Sequence, residues 1–542
     1  MAFFCGKGDV FLKRADIRKG VSNALANIKL EGCTDVSIFG HPFEIGLLKN
    51  KHFQEDIIKT VTSELDEIIN HNGKFDILKI NKISHTLVPK KDNYDFRKCA
   101  LIDIIDEIKY LSLVNLIAPI IERERVSKNI AFSYRYKISS NGNIFDRKYN
   151  YSLFKNKYRQ LSSKKKYKII IECDIANFYD RLNIHRLNST LLSISSIDTN
   201  ITKAIDELLL FWANRDSYGL PVGSNASRIL AEAFLIEIDN FLLSNNITFC
   251  RFVDDYRFFA ADSCEASKIM NLFVRILNKH GLSINLSKTK MRDVSCYRNE
   301  NKKVTTSTKE GLFEIIRGYS GIVPTKFRKL SESETKKLKD EDEERLLNKL
   351  KKEVIIEATD IIKTIKIIIA KSSFNCLKEF PEILKKYPQF IPYFSDVILK
   401  NREKINKKIL DEILEKFSLW LNDYNVPEYI LINIVRLFDA NNPNEKKILF
   451  EFFKGLRRNS GIYVGRVVLE QIGFNFNRGE ILEIKDYYLR ADNWEKRQIV
   501  RIVLNGLSKS ENRPFIKDLK INCKDLFIED MIKEYEKKRN VR

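Results

Sequence analysis

The segment RFVDDYRFFA sets Asp254 and Asp255 side by side between two short apolar, aromatic runs. Alternation and β-propensity predict one strand over 248–253 and a second over 256–260. Both carboxylates then sit at the tip of a tight hairpin, where they repel each other unless a cation lies between them. Two hard, oxygen-ligated divalent ions would relieve that repulsion, and such a site can perform phosphoryl transfer. A further carboxylate is needed on a neighbouring strand. Asp174, which ends the apolar run KIIIECD, supplies it, because a carboxylate at the end of a buried strand is costly without a partner. The expected ligands are thus Asp174, Asp254 and Asp255, holding two Mg²⁺ ions for which Mn²⁺ could substitute. One ion would activate a primer hydroxyl and the other would hold a nucleoside triphosphate.

Other residues fall around these acids. Tyr179 follows Asp174 by five positions, and a ring there would press on a bound sugar and exclude a 2′-hydroxyl. The competing reading makes Phe178 and Tyr179 core aromatics. Asp180 is expected to cap a helix starting at Arg181. GLPVGSNAS leads into a long apolar-patterned helix and contains Gly219, Pro221, Gly223 and Ser224. Its glycines would let backbone approach a template or nucleotide, and a helix N-terminus favours phosphate. In GLSINLSKTK, Lys288 and Lys290 either neutralise a departing pyrophosphate or form surface charge pairs.

The elements that must position these groups read as β–α–α–ββ–α–β over 168–291, an α+β arrangement with helices on an antiparallel sheet. Upstream, apolar residues over 95–124 follow helical spacing. A basic, tyrosine-rich stretch over 123–166 suits phosphates and base stacking, or is a solvated loop with aromatics in the core. The function of 1–85 is not legible. Residues 326–353 are dense in Lys and Glu and read as an exposed helix or linker. Beyond them, helical patterns recur with short polar breaks and no fixed period, as in an irregular α-solenoid or an ordinary bundle. The expected domains are 1–325, 326–353 and 354–542.

The whole chain of 542 residues carries a formal charge of +22. Such an excess fits a polyanionic partner such as nucleic acid, or genomic lysine bias. Nine dispersed cysteines show no zinc or disulfide spacing, so reduced thiols in a cytoplasmic protein are expected. No run approaches the ~18 apolar residues of a membrane span.

In this order, DIANFYD, GLPVGSNAS, FVDD and GLSINLSKTK resemble the palm motifs of reverse transcriptases over roughly residues 90–300. The resemblance implies a fingers-and-palm polymerase domain that joins deoxynucleotides, with Asp174 as metal ligand and Tyr179 at the sugar-discriminating position. Arg97 and Arg135 stand where basic fingers residues would hold the triphosphate. Phe252 replaces the commoner tyrosine, and Arg228 stands where many retroelement enzymes carry proline. LFEIIRGYSG occupies the primer-grip region but matches poorly. SRILAEAFLIEID, followed by a helical C-terminal region, is more similar to the abortive-infection and unknown-group bacterial enzymes exemplified by AbiK and AbiA. Those imply phage defence, a homo-oligomer, and DNA made either untemplated on a protein tyrosine or by copying a non-coding RNA. A catalytically inactive palm-fold scaffold that binds RNA is the alternative. No integrase, RNase H or HNH pattern is present.

Overall fold

The computed structural model describes residues 13–76, 79–90, 95–295, 325–353, 356–423, 425–456 and 463–540. The chain divides into two compact units, Met1–Ser84 with Ala100–Glu310, and His85–Cys99 with Gly311–Arg542.

The first unit opens with helices α1 (Arg14–Glu31), α2 (Pro42–Leu47) and α3 (Lys51–Asn70). Strands β1 (Ser84–Pro89) and β2 (Phe96–Leu101) form a two-stranded sheet, most of which groups with the second unit. Helix α4 (Ile104–Glu124) starts at Asp103, whose carboxylate accepts the Ile105 N–H at 3.0 Å. Its residues are buried on nearly every side, and α1, α3 and the later helix Asn225–Phe234 all pack on it. The helical spacing over 95–124 thus overreaches: β2 occupies the first part, and the Asp103 cap marks where helix begins.

The remaining elements are α5 (Tyr151–Ser162), β3 (Ile169–Asp174), α6 (Phe178–Arg181), α7 (Ile184–Ser193) and α8 (Thr199–Trp212). After them come α9 (Asn225–Phe234), α10 (Ile236–Ser244), β4 (Phe249–Phe252), β5 (Asp255–Ala260), α11 (Ser263–Lys279) and β6 (Lys290–Asp293). The expected long helix after GLPVGSNAS is broken at Leu235 into α9 and α10; its apolar pattern runs through without a mark. Asp180 lies inside α6, which follows Asn177 in a left-handed conformation (φ 45°), so it does not cap a helix starting at Arg181.

The four strands order as β4-β5-β3-β6, all antiparallel. Side chains alternate between the faces. One face carries Ile170 and Phe259 into a cluster with Phe154, Tyr158 and Leu161 of α5. The other meets α11, where Tyr256 and Phe258 each stand 4.9 Å from the Phe273 ring. Beside β4 runs the segment 130–133, with the Arg251 N–H donating to Ile130 O at 2.8 Å and the Phe132 N–H to Arg251 O at 3.0 Å. That covers an otherwise open edge.

In the second unit the charged stretch forms two short helices, Glu332–Lys339 and Glu343–Lys352. Further on, Ile391–Asn401, Glu428–Val435, Val464–Ile472, Asn493–Gly506 and Leu526–Asn540 pack each on the next, with one helix intervening in sequence each time. Alternate-helix stacking is the solenoid pattern, and the unequal intervals between these helices explain the missing sequence period.

Candidate active site

Antiparallel register sets Asp174, the last residue of β3, directly opposite Asp255, the first of β5. Directly paired residues project from the same face, so the strand-end acid and the hairpin acid meet at one end of the sheet. The turn between β4 and β5 holds Val253 at φ 58°. For a β-branched residue this is a strained, left-handed backbone, costing on the order of 1–3 kcal/mol. Such strain persists only where the surroundings over-determine it.

They do so here through a buried ionic network. The Val253 N–H donates to Ser133 Oγ at 2.9 Å, and Ser133 Oγ bonds Glu232. The other Glu232 oxygen lies 2.6 Å from Arg125 and 2.8 Å from Arg251. Arg251 also holds Asp239 at 2.6 Å and donates to the Val253 carbonyl at 3.3 Å. Tyr256 completes the set by donating to Asp239 at 3.0 Å. Both peptide groups of the strained residue are thereby tied to a fixed frame.

The acids sit in distinct environments. Burial and the Asp174 charge push Asp254 up to about 7, with Asp255 adding to the rise and Lys288 opposing it. Burial pushes Asp255 up to about 6 against the pull of Arg257. Arg257 engages both Asp255 oxygens. Asp174 receives Lys288 at 3.1 Å and the Asn285 side-chain amide at 3.3 Å. The GLSINLSKTK segment reaches it because the Asn285 N–H donates to Asp174 O at 2.7 Å and Ile284 bridges Ile175.

Among the described residues, no three acidic, histidine or cysteine side chains stand ready around one metal position. The chemistry of the donors nevertheless fits a hard cation at Asp174 and Asp254. Asp254 is a half-buried carboxyl destabilised by a neighbouring acid, which a divalent ion would reverse. Asp255 would have to leave Arg257 to join them.

A pH dependence follows. Asp254 and Asp255 have raised values in the folded chain, so their stabilising contribution is complete below about pH 4 and lost as pH rises through about 6 to 7. Mg²⁺ is expected to raise the melting temperature more at pH 8 than at pH 5. Melting curves with and without the ion check this; equal shifts at both pH values would remove these acids as the binding groups.

The other expected site residues separate. Phe178 is buried, and its ring centroid lies 5.5 Å from that of Tyr179. Tyr179 is half-buried, and burial pushes its hydroxyl well up, with Tyr134 and Asp254 adding to the rise and Arg228 opposing it. The Gly219 N–H donates to Leu182 O and the Leu220 N–H to Tyr179 O, each at 2.9 Å, fastening the GLPVGSNAS loop to α6. Gly219 takes φ 98°, a conformation natural to glycine.

Four residues depart from expectation. Pro221 is buried. Ser224 is 2% exposed, caps α9 and donates to Glu107 at 2.6 Å, so its hydroxyl serves the helix end rather than a nucleotide. Arg135 is 1% exposed, with its guanidinium occupied by Val126 O, Ala131 O and Glu122; it holds the fold and is withdrawn as a triphosphate contact. Gly223 does not leave open space either, since a Cβ there would stand 2.8 Å from Thr34 Oγ1. Arg97, half-buried on β2, belongs to the second unit. The primer-grip candidate LFEIIRGYSG lies outside the described residues.

Sequence reasoning passed over Arg257, Ser133, Glu232 and Asp239. A signal existed: Arg251 is a charge inside an apolar strand, and Glu232 and Asp239 are seven residues apart, two helical turns, along an otherwise apolar stretch.

Residues 88–308 match the family model of reverse transcriptases, RNA-dependent DNA polymerases. That segment is therefore similar to a reverse transcriptase domain. The domain spans less than half of the chain. No curated protein matches. Similar solved structures include apo telomerase from Candida tropicalis truncated from its C-terminal domain, at 16% identity and a TM-score of 0.29, over 39% of this chain and 49% of that one. Telomerase from Candida albicans in complex with a TWJ fragment of telomeric RNA aligns at 13% identity and a TM-score of 0.29, over 72% of this chain and 66% of that one. The chain thus spans about half of the first structure and about two thirds of the second, and superpositions this loose say nothing about activity. Among the described residues, no helix is long and apolar enough to cross a membrane.

Proposed function

We propose that the chain is a DNA polymerase in which a hydroxyl, from a primer or from the protein itself, attacks the α-phosphate of a deoxynucleotide. The oxygen–phosphorus bond forms as the bond to pyrophosphate breaks, and the hydroxyl proton is lost. The observation that carries this reading is the Asp174–Asp255 register, with Asp254 in the turn between. Reverse transcriptase domains use divalent metal ions; two Mg²⁺ held by Asp174 and Asp254, with Asp255 once released from Arg257, would polarise the hydroxyl and neutralise the phosphates. Lys288, 3.1 Å from Asp174, is freed by that rearrangement to meet the departing pyrophosphate. Tyr179 excludes the 2′-hydroxyl.

The similarity of SRILAEAFLIEID and of the helical C-terminal region to the AbiK- and AbiA-like group supports a role in phage defence, as a homo-oligomer. Its DNA is either untemplated and protein-primed or copied from an associated non-coding RNA. Purified protein with Mg²⁺ and labelled dNTPs, without added nucleic acid, is expected to give product. Label that stays with denatured protein through phenol extraction identifies protein priming; product lost after RNase treatment identifies an RNA template. No product under either condition would leave the second reading, an RNA-binding scaffold, which the Asp255–Arg257 pair favours.

Tyr179→Ala is expected to increase ribonucleotide incorporation by about 10- to 200-fold relative to deoxynucleotide, the range a steric pocket can discriminate. Competition assays with labelled rNTP and dNTP measure it; an unchanged ratio would end the gate assignment.

A further inference from the structure

A steric gate discriminates only if its ring cannot yield, and the groups that hold Tyr179 lead to a part of the chain whose sequence announced no function. Arg228, on the first turn of α9, forms an ion pair with Asp35 and bonds Asn225. Its guanidinium lies over the Tyr134 ring, 5.2 Å from the centroid, a stacked arrangement suited to arginine's planar group. The pair is mostly buried, the two side chains being 14% and 20% exposed.

Asp35 follows α1, and the same region grips the loop at two more points. Asn225 donates to Asn27 at 2.8 Å and to Glu31 at 2.9 Å, while Thr34 fills the space beside Gly223. From the other side, the loop is hydrogen-bonded to the Tyr179 carbonyl. Residues 27–35 therefore brace Arg228 and the loop, and through the loop the backbone of Tyr179.

We propose that Arg228 is a positioning residue that fixes the loop fastened to Tyr179, and that Asp35 of the N-terminal segment holds Arg228 in place, so that residues 27–35 set the enzyme's sugar discrimination. This rests on the gate reading above and deepens it. Loss of the ion pair loosens the loop and with it Tyr179, which admits a 2′-hydroxyl while leaving the acids where they are.

The test compares Asp35→Asn, Asp35→Glu, Arg228→Lys and Tyr179→Ala in the full chain, reading kcat and KM for dNTP and rNTP separately. Asp35→Asn and Arg228→Lys should each raise the relative use of rNTP by about tenfold, within the discrimination a steric pocket provides, mainly through a lower rNTP KM. Asp35→Glu should restore most of the wild-type ratio. If Tyr179→Ala relaxes discrimination while folded Asp35→Asn and Arg228→Lys do not, the bracing role is wrong and the gate stands. If Tyr179→Ala changes nothing, the gate itself fails and the bracing role falls with it. Should Asp35→Asn not fold, Arg228→Lys alone decides.

Discussion

Asp254→Asn is expected to reduce nucleotide incorporation by at least about a thousandfold while leaving the fold intact. Removing an acid that organises the metal ions forfeits several kcal/mol of transition-state stabilisation, and each ~1.4 kcal/mol is tenfold in rate. The structural cost runs the other way. Asp254 is a half-buried residue whose carboxyl is pushed up to about 7 by burial and by Asp174, so near neutral pH its ionised form is a liability to the metal-free protein. A neutral amide of the same size removes that repulsion. The variant should therefore melt no lower than the wild type at pH 8 without Mg²⁺, and its Mg²⁺-dependent stabilisation should shrink. Primer-extension rates and melting curves on the same preparations check both halves. Retained activity would dismiss the assigned site, whatever the melting curves show.

Glu232→Gln is expected to be the most damaging single change to stability in the first unit. The carboxylate is 1% exposed and faces Arg125, Arg251 and the Ser133 hydroxyl at once. Burial by itself would raise its value, but the two guanidinium groups hold it below the ordinary carboxylate range. Breaking a buried pair from one side costs ~3–5 kcal/mol, because the opposite charge stays buried without compensation. Here two cations are left with Asp239 and Glu122 as their remaining acids. Against the 5–15 kcal/mol that separates folded from unfolded domains, roughly, that loss is a large fraction. The effect reaches the chemistry as well, since Ser133 and Arg251 hold the two peptide groups of Val253, and the turn they fix presents Asp254. Urea denaturation should show the drop in stability, and kcat should fall further than dNTP KM changes. A variant as stable and as fast as the wild type would show that the turn holds its geometry without this frame.

Much of the palm was readable because its signals are local. The alternation around Asp254 and Asp255 gave both hairpin strands to within a residue or two, and KIIIECD gave β3 with Asp174 at its end. Strand pairing follows from such patterns when one face must be buried. The helices of the second unit were legible for the same reason, as apolar spacing shows within one element. Loops and helix boundaries were less so. The continuous apolar pattern from Asn225 to Ser244 hid the break at Leu235, and the Lys/Arg density that suggested phosphate contacts could not distinguish Arg135, buried against carbonyls, from a surface cation.

The order of motifs, the two adjacent acids and the strand that ends in a third were determined by the sequence alone, because backbone propensity and side-chain alternation are properties of neighbouring residues. Which cation each acid faces was decided only by the tertiary structure: Arg257 for Asp255, Lys288 for Asp174, and for Val253 a frame assembled from Arg125, Ser133, Glu232 and Arg251. So was the docking of residues 27–35 on the loop before α9. Charges choose partners by distance in space, and a chain of 94 lysines and arginines against 72 acids offers far too many pairs for sequence spacing to choose among.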